Sequence, residues 1–248
     1  MPIRHLPLYV IALYLLVSCK KNNGANSSGN ANKLKMYIED AKTSNSHVTD
    51  SFNVTYDNDN RITSLASPAL KFVYTYSSKS FTLDLFENNQ LSIHEIFYIN
   101  SASYVDSTFQ FDNTNDTTTE KYIYTGSLLT RDTTYSYSSA GTSIDTRDDY
   151  TYDNNGNTIK DVQSDGQGNI NQITTFTYTT YPLSVRTNPT YFAPGAKYLP
   201  ATQKVTDGAG SPIGTITYSY AFDGAGRLTK ETDSADNGDV VVKTYIYY

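Results

Sequence analysis

The stretch YTYDNNGNTIK, residues 150–160, contains both elements that decide the fold of this chain. Tyr150 and Tyr152 are two residues apart, so their rings lie on the same face of an extended strand. The Asp153 side chain can accept hydrogen bonds from backbone N–H groups two or three residues further on, and Gly156 tolerates the positive φ of a tight turn. The stretch therefore predicts a strand, a turn and the start of a second strand.

The same spacing of aromatic residues recurs along the chain, with Thr or Ser filling most of the positions between the rings. A period of two favours strand over helix, and we predict a strand even for Leu34 to Lys42, which is the only helix-like candidate. The alternating sets are Phe52/Val54/Tyr56, Phe72/Tyr74/Tyr76, Phe109/Phe111, Tyr122/Tyr124, Tyr135/Tyr137, Tyr150/Tyr152, Phe176/Tyr178, Tyr218/Tyr220/Phe222 and Tyr245/Tyr247.

The turn motif also recurs, in the form D-[GN]-x-G-[NRS]. A further copy has Asn60 at the glycine position, where positive φ is tolerated. Asn237-Gly238 predicts a two-residue hairpin turn. Because the copies are separated by one strand plus one turn, they predict an antiparallel meander. The copies span residues 57–61, 153–157, 165–169, 207–211 and 223–227.

These patterns predict an all-β fold, an antiparallel meander of about 15 short strands with Tyr-rich faces and D-x-x-G turns. An open twisted sheet rarely exceeds about 10 strands, so we expect the meander to be curled or two-layered, although a barrel-like wrap also satisfies the pattern. The 23 tyrosines predict sheet faces that are partly solvated, on which each ring packs against its neighbours and the hydroxyl contacts water. Residues 181–200 contain four prolines, which cannot donate to a strand ladder, and we predict a long loop there.

The first nineteen residues have the pattern of an export signal. Arg4 and His5 precede an apolar run, Leu6 to Val17, which is too short for a spanning helix of about 20 residues and suits the apolar part of a signal peptide. Its end, residues 16–19 (LVSC), resembles the bacterial lipobox. This resemblance implies cleavage between Ser18 and Cys19 and a lipid anchor on Cys19. The alternatives are an ordinary signal peptide or a buried apolar N-terminus, and in both cases Cys19 would be a thiol without a role in anchoring.

Residues 20–33 (KKNNGANSSGNANK) have the composition of a flexible tether. The expected organisation is therefore a signal peptide over 1–18, the lipidated Cys and tether over 19–33, and one β domain over 34–248. By resemblance to the Gram-negative sorting rule, Lys20 after the lipid site favours the outer membrane. The tether has no acidic residue, so periplasmic and surface-exposed orientations both stay open.

Residues 152–157 and 222–228 resemble the YD repeat (YDxxGRL) of RHS-type proteins, and residues 56–62 are a degenerate match. Together with the lipobox, they make the chain similar to small Bacteroidota-type outer-membrane lipoproteins with RHS-like YD repeats, whose function is uncharacterised. RHS-type proteins wind many copies into a closed shell around a toxin, and three motifs are too few for such a shell.

Composition and motifs exclude several functions. With 19 basic and 25 acidic residues, a formal charge of −6, the chain lacks the cationic footprint of a nucleic-acid binder. Cys19 is the only cysteine, so we expect no disulfide. His94-Glu95 begins like the zinc motif H-E-x-x-H, but Tyr98 occupies the position of the second ligand. The Asp-rich turns do not match a calcium-binding EF-hand loop.

Two pairs of adjacent acidic residues are candidates for paired catalytic carboxylates. Asp148 and Asp149 are adjacent, as are Glu39 and Asp40, and adjacent residues on a strand point to opposite faces. We therefore predict that neither pair converges and that all four are solvated charges. Since no nucleophile elbow or nucleotide loop is present either, we expect no catalytic, metal or cofactor site and no enzymatic activity.

The function predicted from the sequence is that of a membrane-tethered, non-enzymatic β-sheet module of the cell envelope, structural or interacting. Its expected partners are the membrane, through the lipid anchor, and a glycan or an envelope protein; its oligomeric state is open. The alternative is a glycan-binding lipoprotein that uses exposed Tyr rings. Four Asp-Ser/Thr sequences resemble the O-glycosylation acceptor of exported Bacteroidota proteins and begin at Asp106, Asp116, Asp132 and Asp233.

Overall fold

The computed structural model describes residues 33–112, 117–138, 141–183 and 196–248, and nearly all of them lie in antiparallel strands or the turns that join them. Each strand pairs with the next one along the chain. The strands are β1 (Leu34–Lys42), β2 (His47–Tyr56), β3 (Ile62–Ala66), β4 (Leu70–Tyr76), β5 (Ser80–Glu87), β6 (Gln90–Ile99), β7 (Val105–Asp112), β8 (Thr117–Thr125), β9 (Leu128–Ser138), β10 (Gly141–Tyr152), β11 (Thr158–Asp165), β12 (Ile170–Pro182), β13 (Tyr198–Asp207), β14 (Pro212–Phe222), β15 (Leu228–Ala235) and β16 (Val240–Tyr247).

The sheet closes into a barrel because β1 pairs with β16. Their register runs from Leu34 opposite Tyr247 to Lys42 opposite Val240. The prediction of an all-β antiparallel fold is confirmed, and so is the strand at residues 34–42. The predicted number of about fifteen strands also agrees with the described residues. The prediction of a curled or two-layered sheet is wrong, because pairing of the first and last strands leaves the sheet with no edge. The barrel-like wrap, which the pattern also allowed, is the arrangement observed.

Strand alternation gives the barrel an inner and an outer wall. The inner wall of β2 to β6 is apolar and aromatic: Phe81 is 1% exposed and stacks on Phe97, with 4.3 Å between ring centroids. Burying one side chain of this size contributes roughly 1.5–3 kcal/mol, so this sector is the hydrophobic core. The outer wall carries mostly Thr, Ser and charged residues, as at Thr75 and Thr177, which are exposed.

The Asp turns form as predicted, with one difference in hydrogen bonding. Asp153 Oδ1 accepts from the backbone N–H groups of Asn155 and Asn157, at 2.8 and 2.9 Å. The acceptor therefore serves residues two and four positions on, not two and three. Gly156 has φ +82°, which confirms the need for glycine. The same pair of bonds forms at Asp57, Asp165, Asp207 and Asp223.

The turn at Asn237-Gly238 is not the predicted two-residue hairpin. Ala235 N donates to Asp239 O, and Gly238 N donates to Ala235 O, which is the backbone pattern of the Asp turns. Gly238 has φ +90°. Ala235 thus stands where the other copies have Asp, and the Asn-Gly pair alone did not reveal the longer loop.

A ring of tyrosine hydroxyls lies at the end of the barrel where β1 begins and β16 ends, which we call the terminal end. Seven even-numbered strands carry a Tyr whose hydroxyl donates to a backbone carbonyl of the preceding odd-numbered strand, at 2.5–2.9 Å. The donor–acceptor pairs are Tyr56–Leu34, Tyr76–Ile62, Tyr124–Val105, Tyr152–Leu129, Tyr178–Thr158, Tyr220–Pro200 and Tyr247–Leu228.

This ring corrects the expectation that the Tyr hydroxyls meet water. The apolar residue that starts an odd-numbered strand is buried beneath several of these hydroxyls, for example Leu34, Val105 and Leu228, which are 0–3% exposed. The hydroxyl of each such Tyr joins two strands, and the rings of Tyr56, Tyr76, Tyr220 and Tyr247 pack against the hydrophobic core.

We expect Tyr220→Phe to lower the free energy of unfolding by about 1 kcal/mol, since it removes one hydrogen bond and leaves the Pro200 carbonyl without that donor. Tyr98→Phe is the matched control, because Tyr98 is 46% exposed on the outer wall. Urea unfolding followed by Tyr fluorescence measures both. Equal losses for the two variants would contradict a special role for the ring.

The loop in the proline-rich segment is shorter than predicted. β12 continues to Pro182 and β13 begins at Tyr198, so both ends of the predicted 181–200 loop belong to strands. The register shifts where Pro200 pairs with Tyr178, as expected of a residue that cannot donate to the ladder. Residues 184–195 lie outside the described part of the chain.

Candidate functional site

Four neighbouring strands, β8 to β11, each carry an acidic and a basic residue side by side in sequence. Adjacent strand residues face opposite walls, so the acids point inward and the bases outward. The cross-strand register keeps the acids on one wall, since Asp132 lies opposite both Tyr122 and Asp148, and Asp161 lies opposite Tyr150. The pairs are Glu120–Lys121, Arg131–Asp132, Arg147–Asp148 and Lys160–Asp161.

The inward carboxyl groups of this sector lie close enough to influence one another electrostatically, and we call them the carboxyl array (Glu95, Glu120, Asp132, Asp148 and Asp161). Asp132 is 8% exposed and accepts from the Tyr150 hydroxyl at 2.6 Å. Asp148 accepts from Gln163 at 3.2 Å. Asp161 Oδ1 is buried and has no hydrogen-bond partner among the described residues.

Burial and repulsion between neighbouring carboxylates raise the pKa of three members of this array, Glu95, Asp132 and Asp161. Burial, with repulsion from Glu120, raises the pKa of Glu95 to about 8. Burial also raises the pKa of Asp132 to about 8, although the Tyr150 hydroxyl acts in the opposite direction. The pKa of Asp161 rises to about 7 through burial and the charge of Asp148. At neutral pH the array therefore holds protons that solvent-exposed carboxyl groups would have lost.

A second inward cluster, on β15 and β16, is built around a buried cation. Lys243 Nζ lies 2.8 Å from Glu231 Oε1 and 2.7 Å from Asp233 Oδ2. Tyr245 donates to the other oxygen of Glu231 at 3.1 Å. Burial lowers the pKa of Lys243, but the two carboxylates outweigh it and hold that pKa above its ordinary range. Lys243 therefore stays charged.

The outer wall of the same sector carries a set of cations, which we call the basic strip (Lys121, Arg131, Arg147, Lys160 and Lys204). Asp149 lies between the two arginines, 2.6 Å from Arg131 Nε and 3.4 Å from Arg147 Nε. No hydrogen bond satisfies Arg147 Nε, which is buried. Lys121 and Lys204 are exposed. The outer and inner walls of one sheet thus differ sharply in charge.

The acidic pairs predicted from sequence do point to opposite faces, which is confirmed. The prediction that all four are solvated is wrong for Glu39, which is 8% exposed on the inner wall, and Asp148 also faces inward. Glu39 accepts from the Tyr37 hydroxyl at 2.5 Å. Its neighbour Asp40 is bound to His47 at 2.5 Å.

His94 and Glu95 are likewise separated by the wall. His94 faces outward and hydrogen-bonds to Asp84 at 2.5 Å, whereas Glu95 is buried inside. Within the ranges that the structure describes, no group of three His, Cys, Asp or Glu residues is placed to hold a metal ion, and no helix is long and apolar enough to cross a bilayer. The lipidation site Cys19 lies outside the described residues.

Sequence reasoning missed both the carboxyl array and the basic strip. The signal was present, because four predicted strands carry an acid next to a base, but which of the two faces inward depends on the register. The fold also buries one of the sequences that resemble an O-glycosylation acceptor, the one that begins at Asp132. Its Thr133 is 7% exposed and is not accessible to a modifying enzyme in the folded barrel.

The fold defines a class, closed antiparallel barrels of sixteen strands. No protein-family model matches the chain, and no curated protein matches it, so the resemblance to RHS-type YD repeats has no support here. Among solved structures, a porin-like protein from Bacteroides uniformis superposes with a TM-score of 0.61 at 13% identity, covering 87% of this chain and 98% of that chain.

A porin-like protein from Bacteroides vulgatus superposes with a TM-score of 0.62 at 9% identity, again covering 87% of this chain and 98% of that chain. A domain from Vibrio parahaemolyticus, described as a putative outer membrane lipoprotein-sorting protein, gives a TM-score of only 0.29 at 9% identity, over 86% of this chain and 84% of that chain. This score is too low to indicate a shared fold. The two Bacteroides structures share the fold of this chain.

Proposed function

We propose that this protein is a lipid-anchored, non-enzymatic interaction module of the bacterial outer membrane, and that its barrel stands in water beside the bilayer. The observation that carries the proposal is the polarity of the outer wall. Lysine and arginine occupy mid-strand outward positions on β8 to β11, and threonine and serine fill many of the others. A barrel that spans a bilayer instead needs an apolar outer band about 25 Å tall.

The inner wall supports the same proposal. Aromatic and aliphatic side chains fill one sector, and paired or protonated polar groups fill the other. Charged groups this well buried are not those of a water-filled channel, whose lining is solvated. The porin-like description of the two Bacteroides structures supports a place in the outer membrane, while the wall chemistry of this chain favours tethering over insertion.

The position of the first strand agrees with a tether. β1 begins at Leu34 at the terminal end of the barrel, directly after the residues predicted to link it to Cys19. A lipid on that cysteine would hold the terminal end toward the membrane and leave the side wall and the far end free. A stable anchor needs more than one acyl chain, which the lipobox resemblance implies.

The proposal predicts that Cys19→Ala moves the protein from the membrane fraction to the soluble fraction, because the charged outer wall of β8 to β11 interrupts the continuous apolar band that a bilayer-spanning barrel needs. Ser28→Ala is the control and should stay with the membranes. Fractionation with immunodetection, together with the mass of the N-terminal peptide, measures both. If the Cys19→Ala barrel still pelleted and resisted alkaline carbonate, the barrel itself would be inserted and the proposal would fail.

Orientation is tested separately by protease treatment of intact cells. Cleavage of the protein while a periplasmic marker stays intact would place the barrel on the cell surface. Protection until the outer membrane is broken would place it in the periplasm. Either outcome is compatible with the anchor, so this experiment does not depend on the fractionation result.

A further inference from the structure

We propose that the basic strip on the outer wall of β8 to β13 binds an acidic polysaccharide. The proposal rests on charge complementarity, and the choice of partner rests in part on the proposed function. Five cations lie on this outer face, and among the described residues the one carboxylate at a mid-strand position of the face is Asp149. The strip is therefore a positive surface on a chain whose net charge is −6.

The spacing of the cations follows from the strand register. Lys160 and Lys204 both lie opposite Thr175, one from each side. Lys121 and Arg147 both lie opposite Thr133 in the same way. Members of each pair are therefore two strands apart, or about 10 Å between backbones. This interval is about the length of two sugar units, so the cations can contact every second carboxylate of a chain that carries one on each sugar.

The groups between the cations suit a sugar chain as well. Thr151 and Thr175 flank Lys160, and their hydroxyl groups can donate to or accept from sugar hydroxyl groups. Tyr135 and Tyr137 lie on the outer wall toward the far end, with Lys121 Nζ 5.4 Å from the centre of the Tyr135 ring.

The carboxyl groups of the inner wall do not neutralise the cations of the outer wall. The carboxyl groups directly behind the strip could cancel it if they were ionised, because they are its neighbours in sequence. Asp132 is 8% exposed, and burial raises the pKa of Asp132 to about 8 and that of Asp161 to about 7, so these two groups retain protons near neutral pH that exposed carboxyl groups would have lost. The strip then faces solvent without a matching layer of negative charge.

Two other polyanions fit less well. Double-stranded DNA carries one charge per ~1.7 Å of its axis, which is far denser than cations about 10 Å apart. Anionic lipid would lie at the terminal end, where the proposed tether leaves the barrel, whereas the strip lies on the side wall. An acidic polysaccharide of the envelope or of the surroundings matches both the spacing and the position.

The test is binding of the full chain, purified in detergent, to immobilised polygalacturonate at low salt. The triple variant K121Q/K160Q/K204Q should lose at least tenfold in affinity, and the wild-type affinity should fall steeply as salt is added. The matched control K35Q/K42Q/K71Q removes the same charge from exposed lysines on β1 and β4 and should change the affinity less than twofold. Circular dichroism checks that both variants are folded.

Neutral dextran, phosphatidylglycerol vesicles and a DNA duplex serve as the other probes. The proposal is overturned if polygalacturonate does not bind, if both triple variants lose affinity equally, or if vesicles or DNA bind more tightly than the polysaccharide. Because the protein is purified, the result does not depend on Cys19 or on cell fractionation. Failure of the anchor and failure of the strip are therefore distinguishable.

Discussion

Lys243→Met is expected to lower the free energy of unfolding by about 3–5 kcal/mol at pH 7, since removing one partner leaves two buried carboxyl groups facing each other without a cation. Lys243 is 5% exposed and contacts both Glu231 and Asp233. Methionine keeps much of the side-chain volume, so the loss reports charge more than packing. Equilibrium unfolding in urea at pH 7 measures it.

The matched control is Lys230→Met, which removes the same group from an exposed position on the adjacent strand. Its effect should stay within about 0.5 kcal/mol. Adding Glu231→Gln to Lys243→Met should recover part of the loss, because one of the two stranded charges is gone. If Lys243→Met and Lys230→Met were equally stable, the ion cluster would contribute nothing and this account of the β15–β16 wall would be wrong.

Stability is expected to fall as the pH rises from 5 to 8, by about 3 kcal/mol or more. Glu95 and Asp132 each have a folded-state pKa of about 8, and that of Asp161 is about 7. These values are raised above those of the unfolded chain, so the folded state binds protons that the unfolded state has released. Each raised pKa therefore contributes stability that is lost as the pH rises through it.

The turn aspartates act in the opposite direction and in another pH range. Desolvation is the largest single influence on the pKa of Asp57 and Asp153 and raises it, but the hydrogen bonds from backbone and side-chain donors together outweigh it and hold that pKa below the ordinary value. At Asp223 the backbone hydrogen bond from Arg227 is the largest influence, and the pKa is again lowered. Their contribution is present at neutral pH and is lost only in strong acid. The two sets together predict a stability maximum near pH 4–5.

The variant that tests the array is Asp132→Asn, which cannot ionise but can still accept from the Tyr150 hydroxyl. It should raise stability at pH 8 and flatten the decline between pH 5 and pH 8. Asp59→Asn makes the same chemical change at a side chain that is 74% exposed and should leave the profile unchanged. Thermal unfolding across this pH range gives both curves. A wild-type profile that rises toward pH 8 would contradict the protonated array.

The sequence by itself determined the local structure. Ring pairs at i and i+2 fixed the strands, and Asp-x-x-Gly fixed most of the turns, because both depend on residues close together in the chain. The alternation of side chains along a strand also predicted that Glu39 and Asp40 face opposite sides of the sheet. Even here the Ala235 turn was misjudged, since its loop length depends on where β15 and β16 pair.

Three properties were decided only by the tertiary structure. They are the closure of the barrel, the choice of which side chains face inward, and the protonation of the buried carboxyl groups. Whether β1 pairs with β16 depends on contacts between residues about two hundred positions apart, and no local pattern encodes that pairing. Alternation says that Asp132 and Arg131 face opposite walls, but not which of them enters the barrel. Closure put the carboxyl groups inside, where burial raises the pKa of Glu95, Asp132 and Asp161, and it left the cations facing water. The proposed polysaccharide surface follows from that arrangement.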